Sequence, residues 1–278
     1  MLTSGGRLRI IRPDQFGRSP VLAFQRRELI IQALEQRRSV RVTELAAAMG
    51  VSDMTVRRDL DELARVGLLE KVHGGATAMV SPRSLEPAYA TKALMEREAK
   101  EAIGAVAAKL VTPGSSIALS AGSTTALIAQ HLLEIDDLTV VTNSVPVAEI
   151  FHQRSNPRQT ILLTGGIRTP SDALVGPVAV AALERLHVDM AFMGAHGMDL
   201  DAGFTTPNLM ESEINRAMAG ACRELIVVAD HTKWGVIGFS AFATFSEVSR
   251  LMTDDGIARE AREELEGQIA RLDVVKVN

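Results

Sequence analysis

Beyond Pro113-Gly114 the chain carries six short apolar runs, at residues 117–119, 138–142, 160–164, 190–194, 225–229 and 251–253, separated mostly by stretches of helical periodicity. Runs this short read as strands. Strands alternating with helices lie parallel, because each helix carries the chain back across the sheet before the next strand begins. The C-terminal part therefore reads as an α/β domain built on a largely parallel sheet. Ligands of such sheets bind beyond the carboxyl ends of the strands, so the polar and glycine residues that follow each run are the ones to inspect.

A different pattern precedes this domain. Leu29, Ile30, Ala33 and Leu34 recur at helical spacing within residues 24–35, and Gln36-Arg37-Arg38-Ser39 then interrupts them as a polar turn. Thr43 opens a short helix that runs through Met49, and Gly50 supplies the left-handed residue that stops it. Ser52 is placed to cap a third helix, running to about Val66, on which Val56, Leu60 and Leu63 share one face. Met54, Arg58, Asp61 and Arg65 centre the opposite face, with Thr55 and Arg57 flanking it near the N-terminal end. Taken alone, Arg57-Arg58 fits a solvated patch better than a contact. The context reverses that preference, because residues 67–76 read as a strand, a glycine turn and a return strand, the wing of a winged helix-turn-helix. The first turns of a recognition helix enter the major groove, where short polar side chains meet base edges and arginines reach guanine or phosphate. The expected DNA-facing set is Ser52, Met54, Thr55, Arg57 and Arg58 on the helix, with Lys71 and His73 on the wing. His73 suits packing or capping as well as contact.

Charge divides along the same line. Residues 1–85 contain 14 Lys or Arg against 9 Asp or Glu, an excess of five positive charges, so with −4 on the whole chain the remainder carries −9. The field that matters to a nucleic acid is that of the domain facing it, and a basic head on an acidic body suits DNA. The first 20 residues lack the apolar core of a signal peptide, and no apolar run approaches the roughly 20 residues that span a bilayer, so a cytoplasmic protein without a membrane partner is expected. The single cysteine, Cys222, excludes an internal disulfide and a multi-cysteine metal site and reads as a small buried apolar residue. No histidine pair stands at ligand spacing around His196, so neither a metal nor a cofactor is expected.

The stretch Val51-Ser52-Asp53-Met54-Thr55-Val56-Arg57-Arg58-Asp59-Leu60, followed by Val72-His73-Gly74-Gly75-Ala76, resembles the DeoR family of bacterial repressors. The resemblance extends from about Phe24 through Asp254. It implies a winged helix-turn-helix over residues 22–78 and a sensor and oligomerisation domain over 89–278 that resembles sugar-phosphate isomerases; between them the prolines of Ser81-Pro82 and Glu86-Pro87 prevent a continuous helix and mark a linker over 79–88, after which a long helix reaches Val111. It also implies operator DNA and a phosphorylated sugar or polyol as partners, and a homo-oligomer whose paired heads read paired half-sites.

Within that domain, Ser120-Ala121-Gly122-Ser123-Thr124-Thr125 leaves a strand and opens a helix, an arrangement that serves simple capping and also suits phosphate. The resemblance places the phosphate at Gly122, Ser123, Thr124 and Thr125. Ser120 stands where the family usually has an acidic residue, which puts ligand hydroxyl contacts there in doubt. Asn143 follows the second strand and either caps the next helix or meets ligand; Gly165 and Gly166 read as turn residues, and Arg168 as a further cation for an anion. The segments 205–211 and 229–235 are similar to family signatures, with Glu211 a candidate for sugar hydroxyls, Lys233 for phosphate or carboxylate, and Asp230 orienting either Lys233 or a ligand hydroxyl. A surface Asp–Lys pair is the plainer alternative.

Three functions compete: a DNA-binding regulator, expected to be a repressor of carbohydrate utilisation; a sugar-phosphate isomerase or deaminase with a DNA-binding head; and a regulator whose C-terminal domain only oligomerises. Asn215 lies where many relatives carry lysine, and Ser120 where they carry an acid, so the acid–base pair an isomerase needs is missing from the expected positions.

Overall fold

The computed structural model describes residues 23–37, 39–65, 68–78, 86, 88–154 and 156–277. The N-terminal stretch 1–22 and, apart from Glu86 and Ala88, the expected linker 79–88 lie outside them. The chain divides into two compact units, residues 1–80 and 81–278.

The head runs α1 (Ala23–Arg37), β1 (Ser39–Arg41), α2 (Val42–Met49), α3 (Asp53–Arg65), β2 (Leu69–Val72) and β3 (Gly75–Ala78). Ile30, Leu34, Leu45, Met49, Val56, Leu60 and Leu63 close its core. Gly50 ends α2 in the left-handed conformation (φ 65°), and its amide donates to the Ala46 carbonyl, the stop expected of a glycine there. Ser52 caps α3: Thr55 N–H donates to its Oγ at 3.2 Å. One element departs from expectation. Ser39, read as part of a polar turn, begins a strand that pairs with β3, so the wing is a three-stranded antiparallel sheet of order β1-β3-β2. Gly75 is required where they meet, since a Cβ there would stand 2.0 Å from the Val40 carbonyl oxygen.

A buried ion pair locks α1 to α3. Asp59 is 2% exposed, and its carboxylate accepts from Arg26 Nε at 2.7 Å, from the second Arg26 nitrogen at 3.3 Å, and from Arg27 Nε at 3.4 Å.

In the body, α4 (Tyr89–Leu94) and α5 (Arg97–Ala108) replace the single long helix expected up to Val111. Glu96 between them adopts a left-handed conformation (φ 46°), which breaks the helix without a glycine or proline to announce it. Then follow β4 (Ser116–Leu119), α6 (Ser123–His131), β5 (Thr139–Thr142), α7 (Val145–Arg154), β6 (Thr160–Leu163), β7 (Ile167–Arg168), β8 (Leu174–Val175), α8 (Pro177–Leu183) and β9 (Val188–Gly194). The chain continues with β10 (Gly197–Asp199), β11 (Gly203–Thr206), α9 (Leu209–Gly220), β12 (Cys222–Val228), β13 (Ser240–Ala243), β14 (Arg250–Asp254), α10 (Arg259–Glu266) and β15 (Leu272–Val275).

Seven of these strands form one sheet, ordered β15-β14-β12-β9-β4-β5-β6, and every pairing in it is parallel. Its central strands are apolar on both faces. Ile117, Leu119, Phe192, Ile226 and Val228 pack on one side with Ile103, Ile128 and Phe151; Ala118, Ala191, Met193, Leu225 and Val227 pack on the other with Leu183, Ile214 and Leu265. Helices on both faces are what such a sheet demands. From β4 the chain builds outward through β5 and β6, then returns to the other side of β4 with β9 and builds outward again. That reversal falls between β4 and β9, and ligands of open parallel sheets bind beyond the carboxyl ends of the strands at such a point.

Replacing Asp59 by Ala removes the buried carboxylate from α3 and is expected to cost the head about 1–3 kcal/mol, because Arg26, at 14% exposed, retains partial access to water. Hydrogen exchange at the α1 and α3 amides measures it. Asp61→Ala, which removes an exposed carboxylate, should leave that protection unchanged; equal protection in Asp59→Ala and the wild type would contradict the assigned role.

Candidate functional site

On the head, the N-terminal end of α3 presents Ser52, Met54, Arg57 and Arg58 to solvent, with Thr55 half-buried and hydroxyl-bonded to Ser52 at 2.9 Å. Met54 is 75% exposed, unusual for an apolar side chain and suited to a thymine methyl. Val56, Leu60 and Leu63 are at most 1% exposed, so both arginines point away from the core. On the wing, His73 is exposed at the β2–β3 turn, whereas Lys71 already pairs with Asp61 of α3.

In the body, the loops after β4, β5, β9, β12 and β14 end on the same edge of the sheet. After β4, Ser120 Oγ accepts from Gly194 N–H at 3.1 Å and so bridges the two strands at the reversal. Thr125 Oγ1 donates to the carbonyls of Ser120 (2.7 Å) and Gly122 (3.0 Å), fixing the turn that leads into α6. Amides of the first helical turn have no partner within the helix, and together with the Ser123 and Thr124 hydroxyls they form a concentration of donors. After β5, Asn143 is committed on both sides: its Oδ1 accepts from Ala121 N–H at 2.9 Å and its amide donates to Leu174 O at 3.2 Å. Asn143 thus ties the loop after β4 to the strand at Leu174, while Ser144 caps α7 by accepting from Val147 N–H. Arg168 is paired with Asp172 at 2.7 Å.

After β12, Asp230 is fully buried and stands between two lysines, with Lys233 Nζ at 3.6 Å and Lys100 Nζ at 3.9 Å from its Oδ2. The Asp–Lys pair is therefore not a surface pair. Burial disfavours the Asp230 carboxylate, but the charges of Lys233 and Lys100 outweigh it and hold the group below its usual range. Lys100 is 3% exposed, and burial, with Lys233 nearby, lowers its ammonium to about 8. Sequence reasoning missed it: a lysine in an amphipathic helix carries no sign of burial, and its partner lies 130 residues further on. His196, after β9, is lowered to about 4 by burial and by Lys92 and Lys233, so its imidazole is neutral at pH 7. Glu211 accepts from Thr206 Oγ1 at 2.7 Å and from the Ser171 hydroxyl, and burial raises its carboxyl. Next to Lys233, Trp234 is half-buried against the core.

Among the described residues, no group of three His, Cys, Asp or Glu side chains is arranged to hold a metal, and no helix is long and apolar enough to cross a membrane. Cys222 is half-buried, not fully buried; its thiol donates to Ala219 O, and burial raises its pKa.

Residues 26–81 match the DeoR-like helix-turn-helix domain, and residues 95–255 match the DeoR C terminal sensor domain. The chain is 37% identical to the uncharacterized HTH-type transcriptional regulator YgbI of Escherichia coli (strain K12), over 92% of this chain and 99% of that protein. It is 35% identical to the HTH-type transcriptional regulator GolR of Listeria innocua (84% and 91%), and 32% identical to the lactose phosphotransferase system repressor of Streptococcus mutans (83% and 91%). In part it is similar to ribose 5-phosphate isomerase A of Methanocaldococcus jannaschii, with 20% identity and a TM-score of 0.36 over 49% of this chain and 53% of that one. The two domain matches together cover most of the chain, and they agree with its relatives over nearly their full length: the protein belongs to the DeoR family of DNA-binding transcriptional regulators and is not an enzyme.

Proposed function

We propose that this regulator represses a carbohydrate-utilisation operon and is released from its operator by a phosphorylated sugar or polyol. The observation that carries the reading is the buried group Lys100–Asp230–Lys233, set at the carboxyl ends of the strands on the same edge of the sheet as the loop from Gly122 to Thr125. Two ammonium groups converge on one carboxylate oxygen in a site largely screened from water, and a helix N-terminus adds donors for an anion on the same edge. Thr206 and Glu211 supply polar groups for the hydroxyls that accompany a sugar phosphate. The repressor of the lactose phosphotransferase system among the relatives supports a link to carbohydrate uptake. On the DNA side, Arg57 and Arg58 read bases or phosphates, and paired heads in a homo-oligomer engage half-sites about one helical turn apart.

A thermal-shift screen of the full chain against phosphorylated sugars and polyols tests the sensor assignment. A ligand present at 100 times its Kd adds about 2.7 kcal/mol to native stability. If no phosphorylated compound stabilises the protein, the body is an oligomerisation module and the reading fails.

Two substitutions separate the functions. Changing Arg57 and Arg58 together to Ala should abolish operator preference in a gel shift without lowering the melting temperature. Lys at both positions should recover general affinity more than discrimination, since lysine lacks the planar fork that matches guanine. Wild-type operator binding by the double Ala variant would remove α3 from the interface. Lys233→Ala should keep operator binding and lose release by effector, giving a super-repressor in a reporter assay; release at wild-type effector concentrations would move the anion site elsewhere.

A further inference from the structure

The short turn His231–Lys233, which carries Lys233, is fastened to the neighbouring strand by its first residue. Asp254 ends β14 beside β12, and its side chain is buried. One of its carboxylate oxygens accepts from His231 N–H at 2.7 Å. The other accepts from the His231 ring at Nδ1, also at 2.7 Å, and from Gly256 N–H at 3.0 Å. The imidazole lies against bare backbone: a Cβ at Gly256 would stand 2.5 Å from Nδ1 and 2.7 Å from the carboxylate oxygen that Nδ1 meets. Apart from this clasp, the turn rests on Asp230, which accepts from Thr232 N–H at 3.2 Å, and on Gly235 N–H, which donates to Met198 O at 2.8 Å.

The ring is half-buried and stands among acids. Asp254 at the end of β14, Glu96 at the head of α5 and Asp230 after β12 all act on it, whereas Lys100 and Lys233 act on Asp230. The hydrogen bond to Asp254 raises the imidazole above its usual range, against the effect of burial. Burial works against the Asp254 carboxylate, but the ring and amide of His231 and the Gly256 N–H outweigh it and hold the group below its usual range. Glu96 is raised by burial, and the charge of His231 opposes that rise. A histidine raised in the folded protein contributes fully below its unfolded value of about 6.5 and loses that contribution as pH rises through the folded value. The clasp therefore slackens with rising pH, in a window that begins above about 6.5.

We infer that His231 is a positioning residue of the anion site: its imidazolium, clasped by Asp254 and faced by Glu96, fixes the turn that carries Lys233, and loss of the ring proton slackens that turn and weakens anion binding. This rests on the phosphate-sensing reading above and adds a proton to it, since affinity for the anion comes to depend on the charge of a residue that does not touch the anion. The effect is carried by geometry. A charge-assisted hydrogen bond to Asp254 is about twice as strong as a neutral one, and the difference is felt two residues before Lys233.

The test uses the full chain with inorganic sulfate as probe, because sulfate keeps its charge throughout the range in which an imidazole titrates. Affinity is read by Trp234 fluorescence and by thermal shift, from about pH 6 to about pH 8.5, in wild type, His231→Asn and Gly256→Ala. Asparagine puts a neutral amide in place of the ring nitrogen, and alanine at 256 pushes the ring off Asp254. At the acid end wild type should bind sulfate roughly fivefold more tightly than either variant, and the ratio should fall to about one at the alkaline end. The Lys100 ammonium, lowered to about 8, loses charge in all three proteins and cancels in that ratio. The His231 ring signal in a proton–nitrogen NMR titration, identified by its absence from His231→Asn, should titrate above about 6.5. A ratio that stays constant with pH while wild type binds sulfate overturns the inference and leaves the anion site standing. A His231→Asn variant that melts lower but binds like wild type at every pH, or a ring that titrates below about 6.5, also overturns it. Failure of wild type to bind sulfate at any pH would overturn the anion-site reading and the inference together.

Discussion

A fully buried carboxylate is the constraint around which the body's site is organised. Asp230 is fully buried at the end of a central strand, and among the described residues nothing donates a hydrogen bond to its Oδ2. An isolated charge in that position is unaffordable, so cations have to be brought to it. Lys233 comes from the turn that Asp230 itself caps, and Lys100 from a helix far earlier in the chain. Two ammonium groups are thus drawn toward one carboxylate oxygen. The strand reversal between β4 and β9 puts the donors of the α6 N-terminus on the same edge.

The head follows a parallel logic at smaller scale. Asp59, buried on α3, binds Arg26 and Arg27 of α1 and fixes how the two helices cross. Only with that face spent on packing are Arg57 and Arg58 presented outward. In each unit a buried aspartate orders the scaffold, and the groups left to work outward are cationic or donor-rich, as partners bearing phosphate require.

Much of this was legible in the sequence, for identifiable reasons. The central strands are covered on both faces, so they read as continuous apolar runs, and six of the seven strands of the sheet fall on runs visible in the sequence. The seventh, Leu272–Val275, is an edge strand interrupted by Asp273, which pairs with Arg250. The strand Ser39–Arg41 is too short for alternation to show, and the break at Glu96 carries no glycine or proline. The candidate loops were visible because glycine and hydroxyl residues cluster after strands. Lys100 was not, because its place beside Asp230 depends on a residue distant in sequence.

The central claim is that one chain couples an anion-sensing body to a DNA-binding head, and linkage measures this directly. Operator affinity of the full chain is titrated with and without a saturating phosphorylated sugar that stabilises it, and the affinity for that sugar is titrated with and without operator. The two factors must agree, with a coupling of about 1–3 kcal/mol. Equal weakening in both directions is the predicted result. Operator affinity that stays constant while the body is saturated with ligand would contradict the account.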